Sequence, residues 1–562
     1  MELRATLPVA AGLVCAAVTL LMSPSPAEAC GGFFCDNSQP VNQQAERIIF
    51  AQQPDGSVDA VIQIQYQGPS EQFAWMLPVT GSPEISVSSN AAFDRIQQAT
   101  NPLYRLTTTV EGTCADSGGG RLSSDGTSSA DAGVPPSEPG GEVTVVDRGS
   151  VGPYDYVLIA LDPEAMDLVA VAITWLRDNG YDVPEMSSEV LRPYLESGMN
   201  LLTFRLTKGN DAGSIRPVRL SFGNGLPSIP IRPTAVAAQP DMGIMVWVLG
   251  AERAIPANYR SLELNEVLIN WLRPNSNYND VVTRAANEAN GQGFVTEHSG
   301  SAPELGRVIW QDFEATQWAD LQSQDWTDRE GEFLGSLSSF ANLDGMRELF
   351  AASLTPPAGV DEDAFLSCIT CYIDYAETDF EGLEPAAFLT AMQADVIDPL
   401  VETQALFDST TITTRLYTTM SADEMTMDPV FDFNADLGPV SNQHDADRII
   451  ECSPSIAQSE APWRILLEDG QTIRGWGTTW PFEVDGAMPA NSRIVRVGNE
   501  GEGEVVEDNV AAISAALTEH NATVTMARGT GCSVSPGSGS ASPLFGLFAV
   551  ALGLVAARRR RN

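Results

Sequence analysis

Residues 47–66 read Arg-Ile-Ile-Phe-Ala-Gln-Gln-Pro-Asp-Gly-Ser-Val-Asp-Ala-Val-Ile-Gln-Ile-Gln-Tyr. Val58, Ala60, Ile62, Ile64 and Tyr66 fall at every second position with mostly polar residues between them, the period of a half-buried strand. Arg47-Ile48-Ile49-Phe50 precedes this run and Pro54-Asp55-Gly56 separates the two, so the stretch predicts a β-hairpin. Outward from it, residues 73–79, 143–146, 156–161, 201–206, 218–222 and 242–249 predict further strands. Residues 163–179 predict an amphipathic helix closed by Gly180, with Leu168, Val171, Ala172, Trp175 and Leu176 at helical spacing. Residues 329–407 are mainly helical in pattern, followed by strands at 411–417 and 463–467 and a closing helix near 509–517. Helices and strands in mixed order, without regular alternation, predict an α+β fold.

The expected organisation is a β-rich domain with interspersed helices at 30–355 and a second region of mixed helices and strands at 356–528, with a soft boundary at Pro356-Pro357. Residues 116–141 are dominated by Gly, Ser, Pro and Asp and predict an exposed flexible insertion. No internal repeat is visible, which argues against a solenoid or propeller.

The 562 residues carry 74 acidic against 31 basic side chains, a formal charge of −43, and Lys208 is the single lysine. No Schiff-base or phosphate-binding lysine exists elsewhere, and a surface this acidic repels nucleic acid, so no DNA or RNA partner is expected. The 43% apolar content and ten tryptophans exclude wholesale disorder.

Both ends read as an address. Residues 1–29 have the order of a secretory signal peptide: Arg4, an apolar core at 7–22, then Ala27-Glu28-Ala29 as the cleavage site. Cleavage after Ala29 makes Cys30 the N-terminus. Ordinary cleavage is favoured over lipidation of Cys30, because Ala-Glu-Ala lacks the leucine-small-small order that lipid attachment favours. At the other end Gly529-Thr530-Gly531-Cys532 leads through a Ser/Gly/Pro spacer to an apolar helix at 543–557 and then Arg558, Arg559, Arg560 and Arg561, a stop-transfer order. The helix is short against the ~17–25 residues of a stable span. Residues 529–562 resemble the myxobacterial C-terminal sorting domain. That resemblance implies membrane insertion through 543–557, processing near Gly531 and Cys532, and delivery of the body to the cell surface; a plain tail anchor is the alternative. The membrane and the export and sorting machinery are then its partners.

Setting aside Cys15 and Cys532, an even six cysteines remain, and an exported chain forms disulfides from them. Proximity pairs Cys30 with Cys35 and Cys368 with Cys371, leaving Cys114 for Cys452 by subtraction. Cys30-Gly-Gly-Phe-Phe-Cys35, Phe73-Ala74-Trp75-Met76-Leu77-Pro78 and residues 242–250 with Arg253 and Asn258-Tyr259 resemble domain-of-unknown-function family 2330 of exported bacterial proteins, over roughly residues 30–350. The resemblance brings no activity or catalytic residues. It implies export and a structural cysteine pair at the mature N-terminus.

Four features carry candidate chemistry. Cys368-Ile-Thr-Cys371 has the spacing of a redox dithiol, but Asp361, Glu362, Asp363, Asp374 and Glu377 surround it and raise thiol pKa values, which favours a structural disulfide; a redox pair, or a zinc site completed by Cys30 and Cys35, are the alternatives. Asp432, Asn434 and Asp436 alternate as in a calcium loop, although glycine falls one place late and Gln443 stands where a loop of that type has glutamate. No cofactor is otherwise expected; calcium is the ion this loop would take, against an acidic solvated turn. His444 has Asp445 and Asp447 beside it, but no nucleophile elbow or zinc motif accompanies it or His298 and His520. Trp463, Trp476 and Trp480 form either core or a glycan platform, core being the simpler reading. Two function classes remain: a non-catalytic cell-envelope protein that binds a glycan, a protein or calcium, and an exported hydrolase whose site no motif encodes.

Overall fold

The computed structural model describes residues 42–67, 74–115, 143–181, 183, 187–206, 215–236, 238–372 and 383–529. The expected leader, Ala29, Cys30, Cys35, the 116–141 insertion, Gly531, Cys532 and the helix at 543–557 lie outside these residues. Among the described residues no helix is long and apolar enough to cross a membrane.

The fold is α+β. Its strands are β1 (Asn42–Gln52), β2 (Ser57–Gln67), β3 (Ala74–Val79), β4 (Glu84–Val87), β5 (Leu103–Glu111), β6 (Val143–Val151) and β7 (Tyr154–Leu161). There follow β8 (Asn200–Leu206), β9 (Val218–Asn224), β10 (Ala238–Gly250), β11 (Arg253–Pro256), β12 (Arg260–Leu264), β13 (Gly293–Ser301) and β14 (Ile412–Met420). The last are β15 (Phe431–Asn434), β16 (Gln443–Glu451), β17 (Pro462–Leu467), β18 (Thr472–Trp476), β19 (Asn491–Arg496) and β20 (Glu504–Asp508). The helices used below are α1 (Asn90–Thr100), α2 (Leu168–Asp178), α3 (Ser187–Glu196), α4 (Tyr278–Glu288), α5 (Glu362–Ser367) and α6 (Val510–Gly529).

The hairpin forms where alternation and the Asp-Gly turn place it. Ile48 sits opposite Ile62 and Phe50 opposite Ala60, with Gly56 at φ +86° in the left-handed region that suits glycine. Its environment is not half-buried, however. β1 also runs parallel to β10, and β2 pairs with β9, inside a ten-stranded sheet of order β20-β19-β12-β13-β14-β10-β1-β2-β9-β4. Ile48, Phe50, Ile62 and Ile64 pack against Trp75, Leu77 and Phe204 of the four-stranded sheet β3-β8-β7-β6. Ile49, Ala51 and Val61 face the other way, onto α1 and the helical region between 302 and 408. The polar positions of the alternation, Asp59 and Gln63, are therefore buried as well. Asp59 accepts from Arg219 and Ser221, and Gln63 bonds Arg47 and Asn90. An unpartnered group there costs about 1–3 kcal/mol, so these bonds allow a polar residue at the centre of the fold.

The layers are then α2 and α3, the β3-β8-β7-β6 sheet, the ten-stranded sheet, and a final layer of helices with the sheet β18-β17-β16-β5. α2 starts at Leu168 rather than near 163, because the Asp167 side chain accepts from the Ala170 N–H at 3.1 Å and caps the helix there. α6 runs well past the expected 517. Near its middle Asn521 accepts from the Arg474 N–H and donates to the Thr472 carbonyl, closing the edge of β18 as a neighbouring strand would. β14 lies between β13 and β10, β15 pairs with β11, and β5 pairs in parallel with β16, so strands from both sides of Pro356-Pro357 share three sheets.

Candidate functional site

Titratable side chains converge between the ten-stranded sheet and the β18-β17-β16-β5 sheet. On β13 the register passes from Thr296 opposite Leu416 to His298 opposite Arg415, which leaves Glu297 as an extra, bulged residue. A bulge re-aims its side chain. Here the Glu297 carboxylate meets Arg415 Nε at 2.6 Å, with both side chains at most 2% exposed. Arg415 Nη1 donates to Gln97 O, Thr100 Oγ1 and Asn101 Oδ1 at the C-terminal end of α1, where the helix dipole favours a cation. The guanidinium also lies over the Trp247 ring, 5.6 Å from its centre.

The other Glu297 oxygen accepts from the Tyr278 hydroxyl at the start of α4. Burial pushes the Glu297 carboxyl above its usual range, and Arg415 and Tyr278 pull it back. The Tyr278 hydroxyl is held far above its ordinary value by burial and by the Glu297 charge. Tyr278 packs against Tyr104 of β5, which stands edge-on to Trp271 and stacks on His444 at 4.5 Å. The stacking follows from register, since Tyr104 and His444 are opposite each other in the parallel pair. His444 Nδ1 meets Glu266 Oε1 at 2.6 Å, and both residues are about one-third exposed. A chain of groups thus runs from a solvent-facing His-Glu pair through two tyrosines to an enclosed Glu-Arg pair.

Chemically, this arrangement can hold His444 in one orientation, through its Nδ1–Glu266 contact and its stack on Tyr104. Its inner half locks four elements, β13, β14, α4 and α1, together. Two surface depressions, one lined by Arg216 and residues 341–345, 347 and 348, the other by Asp94, Arg95, Gln97, Gln98 and Asn101, include neither His444 nor Glu297.

The residues singled out in the sequence fall as follows. Cys114 is joined to Cys452, Cα atoms 4.8 Å apart, just beyond the paired ends of β5 and β16. Gly112 makes this approach possible: its φ is +89° and a Cβ would lie 2.5 Å from the Cys452 carbonyl oxygen. Cys368 is joined to Cys371 across one turn after α5. Asp432, Asn434 and Asp436 come together, but on the loop at 498–501 rather than around a cavity. Asn434 is fully buried and donates to the Gly498 and Gly501 carbonyls, while Asp432 accepts from Asn499 and Asp436 from the Gly501 N–H. Their polar atoms tie two loops together; among the described residues no group of three or more His, Cys, Asp or Glu is placed to hold a metal ion. Trp463 is a core residue, stacked on Trp480 and donating to the Gly477 carbonyl, whereas Trp476 is 41% exposed, so the three do not form one platform. His520 bonds the Arg474 carbonyl. Glu297, Arg415, Tyr104, Tyr278 and Glu266 escaped the sequence reading. An arginine inside the strand-like run at 411–417 was the one available signal, because a charge in a central strand needs a buried partner.

A family model described as an uncharacterised protein conserved in bacteria (DUF2330) matches residues 24–401, more than half the chain. The match runs past Pro356-Pro357 but stops short of β14. No curated protein and no solved structure matches the chain.

Proposed function

The chain belongs to this DUF2330 family of uncharacterised bacterial proteins, which transfers no activity to it, and we propose that the protein is an exported, non-catalytic cell-envelope protein displayed at the outer surface. The observation that carries the reading is the state of the cysteines. All four among the described residues are paired, and one bond spans 338 positions. Disulfides of this kind form and persist in oxidising compartments outside the cytoplasm. The leader-like first 29 residues and the Gly-Cys, apolar and arginine tail supply a matching address in the order that export and sorting require. The charge of −43 suits a soluble displayed body, and its partner in this reading is an envelope glycan or another protein.

The rival reading, an exported hydrolase, has one observation on its side: the His444–Glu266 pair backed by Tyr104. Protease treatment of intact cells tests the display. The protein is degraded at a protease dose that spares a cytoplasmic marker; protection until the cells are lysed would overturn the proposal. Hydrolysis of an envelope polymer by the purified protein, abolished in His444→Ala, would move the assignment to the rival.

A further inference from the structure

The two disulfides are placed very differently. Cys114 and Cys452 are half-buried against the main core and join segments 338 positions apart. Cys368 and Cys371 close a loop with a separation of only 3, and the Cys371 side chain is exposed. That turn is already closed by the backbone, since the Cys371 N–H donates to the Cys368 carbonyl at 2.9 Å. The sulfur bond therefore adds little restraint to the chain, because the entropy a disulfide removes grows with the loop it closes. The segment carrying it is held independently. Phe365 of α5 is fully buried, Asp361 caps the helix by accepting from the Ala364 N–H, and Asp363 pairs with Arg347.

We propose that Cys368–Cys371 is a thiol–disulfide exchange site opened by a neutral or cationic dithiol, while Cys114–Cys452 is the structural bond. An incoming thiolate attacks the exposed Cys371 Sγ, forming a mixed disulfide and expelling the Cys368 thiolate, which takes up a proton. The second thiol of the reductant, deprotonated, then attacks its own sulfur in the mixed disulfide and expels the Cys371 thiolate, which is protonated in turn. Two electrons and two protons pass from the dithiol, which leaves as a disulfide. The charge preference comes from Asp361, Glu362 and Asp363, whose field repels anionic thiols such as glutathione. The Cα atoms are 5.3 Å apart on a held turn, so in the reverse exchange an oxidised dithiol first forms a mixed disulfide at Cys371, and the Cys368 thiolate then attacks Cys371 Sγ within the chain and expels the reduced dithiol.

The experiment is a dithiothreitol titration of the folded, oxidised protein, with alkylation and peptide mass spectrometry reporting each pair. Cys368 and Cys371 become alkylated at a concentration about tenfold or more below that needed for Cys114 and Cys452, with the melting temperature unchanged. Glutathione at equal thiol concentration opens the pair more slowly. Opening of both pairs at one concentration, or a fall in melting temperature when Cys368–Cys371 alone opens, would overturn the proposal. The double variant Cys368→Ser, Cys371→Ser provides a second check: a melting temperature equal to that of the parent supports exchange, and a loss shows a structural bond.

Discussion

Glu46 is the clearest single-residue liability. It lies on β1 beside Ile244 and Ile64, is 6% exposed, and among the described residues its Oε2 has no hydrogen-bond partner. Desolvation raises its pKa from 4.5 to about 7. The folded state therefore keeps a proton that the unfolded state gives up. The resulting contribution is fully present below pH 4.5 and is lost as the pH rises through 7. Glu46→Gln removes that dependence. Denaturant unfolding is expected to show the variant roughly 3 kcal/mol more stable than the parent at pH 8.5 and little different at pH 4. Arg415 and Glu297 behave in the opposite sense, because each offsets the other's burial. Arg415→Met or Glu297→Gln alone is expected to cost about 3–5 kcal/mol, and the two together less than the sum, measured as a double-mutant cycle.

At the scale of elements, the hairpin was legible because alternation and Asp-Gly are local signals. The pairing that buries it was not. β1 meets β10 across roughly 200 positions, and no residue in either strand announces a parallel neighbour. β3 continues the chain directly after the hairpin yet pairs with β8 in the facing sheet. β13, read Gly-Phe-Val-Thr-Glu-His-Ser-Gly-Ser, has neither alternation nor an apolar run. It is a strand because of its neighbours, and its bulge builds the Glu297–Arg415 pair, so the candidate site was invisible for the same reason as its strand. The cysteine pairing came from proximity in sequence and subtraction. Cys114–Cys452 joins the ends of β5 and β16, and replacing both by serine is expected to lower stability by about 5–6 kcal/mol in reversible unfolding, as closure of a loop this long implies.

At the scale of the molecule, composition spoke to location more than to chemistry. An acidic body with one lysine is the ground for expecting no nucleic-acid partner, and paired cysteines fit an oxidising compartment. Position 356 showed only a proline pair, and nothing local there reveals that strands on either side enter the same sheets. Export and surface processing are the centre of the proposal, and the intact mass of the native protein, taken without reduction, addresses them most directly. The expected species begins at Cys30, ends near Cys532 without the four terminal arginines, and has Cys30, Cys35, Cys114, Cys368, Cys371 and Cys452 paired. A species that begins at Met1, keeps Arg558 to Arg561 and carries free thiols at Cys114 and Cys452 would contradict it.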